Sequence, residues 1–147
     1  MRFLLSLPLV ALVALACGSG FDKVAAAQQL TASIVERGLP LTAEESACIE
    51  TKVAADLSTD DLKRATLKEL SPPGATLVAK VLDGCVGDTT FEAALAKELD
   101  AQGILSKVML ACVSQQVAAA VSAGDWLSQS AKMANATTTA ISSCRSA

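Results

Sequence analysis

Apolar residues recur along this chain at helical spacing, and the pattern stops and restarts at glycines, prolines and capping residues. In Phe21 to Gly38, Phe21, Val24, Ala27, Gln28, Thr31, Ile34 and Val35 fall at three- and four-residue steps. Gly38 can take a left-handed C-cap, and Pro40 blocks continuation. Thr42 with Glu45 has capping-box spacing and opens a helix through Cys48 to about Leu57. Ser58 with Asp61 opens another, ending near Leu70. Ser71-Pro72-Pro73-Gly74 reads as a break, and Ala75 to Asp83 as a short helix leading to Cys85. Thr89 with Glu92 makes a further capping-box match before Phe91 to Leu99, with Gly103 as its stop. Ile104 to about Ser122 is a helix carrying Cys112; its first ten residues also tempt as a strand. Asp125 is expected to cap a helix through Trp126, Leu127 and Met133. The run Thr137-Thr138-Thr139 weakens the last helix, although Ile141 and Cys144 belong on an inward face.

The pattern is used twice. Ala47 to Leu62 and Ala111 to Trp126 align without a gap at an offset of 64, and share Ala, Cys, Val, Ala, Ala, Ser and Asp. Each copy is followed by one more cysteine, Cys85 or Cys144. The expectation is an all-α fold: two tandem helical units, about residues 21–86 and 88–147, packed as one small bundle. The alanines favour helix and close helix approach. They also leave a thin core, since Phe21, Phe91 and Trp126 are the only aromatics after the first twenty residues.

The first residues change the picture. Arg2 precedes an apolar run from Phe3 to Ala16, too short to span a bilayer comfortably and suited to a signal peptide over residues 1–16. Ala14-Leu15-Ala16 is an A-x-A cleavage site. With Cys17 it also resembles the lipobox of bacterial lipoproteins, although Ala14 stands where leucine is usual. Lipidation of Cys17, with Gly18-Ser19-Gly20 as tether, accounts for the odd cysteine: five are present, and four remain for pairing. A secreted soluble form is the alternative.

A thin core calls for staples. The repeat suggests Cys48 with Cys85 and Cys112 with Cys144; Cys85 with Cys112, joining the units, is the competing pairing. The motifs L-T-A-E-E-S-A-C-I-E (Leu41 to Glu50), L-S-x-x-D-L (Leu57 to Leu62), D-G-C-V (Asp83 to Val86) and L-x-K-V-M-L-A-C-V (Leu105 to Val113) cover much of the chain. They are similar to those of small exported actinobacterial lipoproteins with repeated Cys-containing helical segments. That resemblance implies source and compartment and carries no activity.

Chemistry is scarce. With no histidine, Ser-His-Asp and Cys-His arrangements are excluded. The cysteines are too widely spaced for a four-cysteine metal site or a C-x-x-C redox pair, so no metal and no cofactor are expected. Removing Arg2 leaves 11 bases against 15 acids, a net charge of −4, which argues against nucleic acid. The expectation is a non-enzymatic cell-envelope lipoprotein, membrane-anchored through its N-terminus, that binds an envelope protein; the alternative is a carrier of a small apolar ligand or lipid. Trp126, where the first copy has Leu62, is the candidate contact surface. The copies also differ at Glu50-Thr51-Lys52 against Ser114-Gln115-Gln116.

Overall fold

The computed structural model describes residues 20–64, 67–103 and 105–145. The expected signal peptide over residues 1–16, Cys17 and Ile104 lie outside them. Eight α-helices and no strands occur among the described residues. The first unit holds α1 (Lys23–Glu36), α2 (Ala43–Asp56), α3 (Thr59–Arg64) and α4 (Pro72–Cys85). The second repeats the order with α5 (Asp88–Ala101), α6 (Lys107–Ala120), α7 (Ala123–Leu127) and α8 (Ala131–Arg145).

Each unit is built alike. Its first helix packs on its second, and its second on its fourth. A disulfide ties that second pair. Cys48 of α2 bonds Cys85 at the end of α4, with Cα atoms 5.7 Å apart. Cys112 of α6 bonds Cys144 of α8, with Cα atoms 6.0 Å apart. The staples therefore lie within the units, and not between Cys85 and Cys112. Their separations of 37 and 32 residues give about 4 kcal/mol each on the chain-entropy account. A single apolar core runs through both units, with Leu30, Ile34, Ile49, Val53, Leu82 and Leu95 almost fully enclosed.

Most boundaries follow local signals. Thr42 and Glu45 form the expected capping box of α2. Gly38 and Gly103 take positive φ, +110° and +66°, just past the ends of α1 and α5. Several expectations are corrected. The prolines do not break the chain before α4: they occupy its first two positions, where no N–H is needed and φ is already helical. The helix opened by Ser58 is described to Arg64 and does not reach Leu70, because residues 67–69 form a turn; the Arg64 guanidinium donates to the Glu69 carbonyl at 3.0 Å. α6 starts at Lys107, capped by Ser106. Asp125 is the third residue of α7 and not its cap; Ser122 is the cap. α7 does not run on to Met133, because Gln129 at φ 48° separates it from α8. The threonine run stays helical, and the Thr137 and Thr138 hydroxyls donate to carbonyls one turn back.

The α5 cap is the most informative correction. Thr89 and Glu92 do not form it. Gly87 is the N-cap and has no side chain to contribute. Glu45, 42 residues earlier, serves the N-cap's own amide instead: the Gly87 N–H donates to Glu45 Oε1 at 2.7 Å, and the Thr90 hydroxyl to Oε2 at 3.1 Å. The same carboxylate accepts from Thr42 N–H at 2.8 Å. One side chain thus caps a helix in each unit.

Candidate functional site

The units meet where α7 lies on α4. Gly124 makes this possible: a Cβ there would stand 2.6 Å from the Ala79 carbonyl oxygen and 2.8 Å from Asp83 Oδ1. The Gly124 N–H instead donates to Asp83 Oδ1 at 2.7 Å. Asp61 works similarly inside the first unit. It accepts from Ser71 N–H at 2.7 Å and the Ser71 hydroxyl at 2.8 Å, so the third residue of α3 holds the cap of α4.

Beside this junction the surface is concave. One depression of about 360 Å³ lies between α4 and α7, bordered by Leu67, Leu70, Ala79 and Leu127. A second of about 510 Å³ lies along Trp126, Met133 and Thr137. A third of about 190 Å³ lies along α5 at Ala94 and Ala101. Arg37, at the end of α1, borders all three. Together they make an open groove beside Arg37 whose walls mix apolar and polar side chains.

The acids along that groove are already engaged. Asp83 holds Gly124 N–H. Glu98 Oε2 accepts from the Trp126 indole N–H at 2.7 Å. Asp125 Oδ2 accepts from Lys132 Nζ at 2.6 Å and from Ser122 N–H at 3.1 Å. Arg37 makes no side-chain hydrogen bond or ion pair with the described residues. Lys97, on the third depression, is likewise unpaired among the described residues, but Arg37 alone of the two borders all three depressions, and an acidic or carbonyl-bearing group could meet it there.

Three carboxyls lie below their ordinary values. Burial acts to raise Glu45, but the N–H groups of Thr42 and Gly87 and the hydroxyls of Thr90 and Thr42 outweigh it. Asp61 is lowered first by Ser71 N–H, then by the Ser58 and Ser71 hydroxyls. Asp125 is lowered first by Lys132, then by Ser122 N–H. All three are helix-end devices.

Trp126 is a buried residue and not an exposed contact: only 8% of its surface is accessible, and its remaining edge borders two of the depressions. The other region of difference between the copies does not join the groove. Glu50-Thr51-Lys52 lies on α2, and Ser114 is buried, donating to the Ala111 carbonyl. Gln116 borders a separate depression with Asn135 and Thr139. Sequence reasoning missed Glu98, whose partner Trp126 lies 28 residues on, and Arg37, which reads as an ordinary helix end. Among the described residues no group of three or more Cys, Asp or Glu is placed to hold a metal ion. No helix there is long and apolar enough to cross a membrane. Two disulfides fit an oxidising, exported environment. Set against known proteins, the chain matches no protein-family model, no curated protein and no solved structure.

Proposed function

We propose that this chain is a non-enzymatic binding module of the cell envelope, tethered to the membrane through a lipid on Cys17. Its partner is an envelope protein that places a segment in the groove beside α4 and α7. The observation that carries this reading is the groove itself: open, with apolar side chains set among polar ones, and bordered throughout by Arg37. It is also where the second copy departs from the first, through Trp126 in place of Leu62. The partner segment would offer apolar side chains to Leu67, Leu70 and Leu127, and an acidic or carbonyl oxygen to Arg37. A carrier of apolar ligand has less support, because the depressions open to solvent and mix polar with apolar walls.

A photo-crosslinking residue at Thr76, on the α4 wall, tests this in intact cells. A discrete protein adduct is expected from Thr76, lost in an Arg37→Glu background, and absent from the same probe at Gln115 on α6. Equal adducts from both positions, or adducts indifferent to Arg37, would count against the groove.

A further inference from the structure

The exposed side of α1 is unlike an ordinary solvated helix face. Of the four large hydrophobic residues exposed in the described chain, three stand on it or just before it: Phe21 at 39%, Val24 at 57% and Val35 at 45%. At 100° per residue Val24 and Val35 project within one sector of the helix, together with Gln28 and Ala32, and Phe21 stands just before the N-cap Asp22. No charged residue occurs from Val24 to Val35. The core side, Ala27, Leu30 and Ile34, lies roughly 120° round the helix and is fully committed. The outer sector has no partner among the described residues.

We infer that this face of α1 lies against the membrane surface, in contact with the boundary between headgroups and acyl chains. The inference rests on the lipid anchor at Cys17. Three residues, Gly18 to Gly20, separate Cys17 from Phe21, which makes four Cα–Cα steps. Fully extended they span at most ~14 Å, so a lipid on Cys17 holds the start of α1 against the bilayer. From there the stripe from Val24 to Val35 runs about 16 Å along the helix. One helix wide, it offers on the order of 200 Å², far below the ~800 Å² per partner of a stable protein interface. A second copy of the chain is therefore a poor fit, whereas an interfacial helix needs only a modest apolar stripe when a covalent anchor supplies most of the affinity. The absence of charge also keeps the acidic character of the rest of the molecule away from an anionic leaflet.

Methyl NMR on the full chain tests this without altering it. Protein purified from membranes, with valine methyls labelled, is placed in nanodiscs of phosphatidylcholine and phosphatidylglycerol with a small fraction of doxyl-labelled lipid. Intact mass reports the state of Cys17 on the same sample. The expected result is diacylated Cys17 and relaxation of the Val24 and Val35 methyls several-fold faster than that of Val108, which is 83% exposed on α6. A Val24→Asp variant, altered only at an exposed position, should lose the enhanced relaxation at the Val35 methyls. Diacylated protein in which Val24 and Val35 relax no faster than Val108 overturns the membrane-facing orientation and leaves the tether standing. An unmodified Cys17 overturns both.

Discussion

Replacing Gly124 with alanine should destabilise this protein, although alanine is the better helix former by about 1 kcal/mol. The new methyl would start 2.6 Å from the Ala79 carbonyl oxygen and 2.8 Å from Asp83 Oδ1. Ordinary contact begins near 3.4 Å, so α7 must withdraw from α4 by roughly 0.8 Å. Overpacking of that kind costs about 1–3 kcal/mol. The same withdrawal lengthens the 2.7 Å bond from Gly124 N–H to the Asp83 carboxylate, which at a half-buried site contributes on the order of 1.5 kcal/mol. After the propensity gain, the net loss is about 2–3 kcal/mol, or roughly 6–12 °C in Tm for a domain of this size. The assay is thermal and urea unfolding of oxidised protein followed by circular dichroism. Asp60, the matching position 64 residues earlier, is exposed, and Asp60→Ala should change stability by less than ~1 kcal/mol. If Gly124→Ala is as stable as the parent or more so, the docking of the units through α4 and α7 is wrong.

Other consequences can be measured on the same footing. Glu45, Asp61 and Asp125 all have lowered folded-state pKa values, so the stability they add is complete above their ordinary values of 4.5, 3.8 and 3.8 and is lost as pH falls below them. Tm should be flat from pH 7 to 5, with no histidine to titrate there, and should drop below pH 4.5. Glu45→Gln cannot accept from Gly87, Thr42 and Thr90 at once; it should cost about 1–2 kcal/mol at pH 7 and flatten the acid limb, and an unchanged acid limb would remove Glu45 from the account. Trp126→Leu, which restores the first copy's residue, opens a cavity and removes the bond to Glu98; a loss of about 2–3 kcal/mol in urea unfolding is expected. Cys48→Ser should leave Cys85 alkylatable while Cys112 stays protected, and a reactive Cys112 would mean that the staples exchange between units.

What the sequence made legible was local or repeated. Thr42-x-x-Glu45 and Ser58-x-x-Asp61 announce helix starts because cap and acceptor lie within one turn. The doubled cysteine-bearing segment indicated the pairing because two copies of one unit need one staple each. The rest depended on partners far along the chain. Nothing near Gly87 says that its cap comes from Glu45, so Thr89 and Glu92 looked like the better signal. Pro72-Pro73 reads as a break until Ser71 is seen capping Gly74 N–H. Gly124 reads as a turn residue, and only the approach of Ala79 shows that it is a contact residue. In the groove, Trp126 was visible as a departure from the repeat, but its burial was not, because Glu98 lies 28 residues away. Arg37 looked like an ordinary helix end.

The account depends most on one feature: a chain exported and tethered through Cys17, with its other four cysteines paired within the units. Intact mass with thiol alkylation, on protein purified from membranes without reductant, addresses it in one spectrum. The predicted species begins at a diacylated Cys17 and takes up no alkylating reagent. An unmodified N-terminus with one alkylatable thiol would contradict the tether, and with it the proposed place of this module on the membrane.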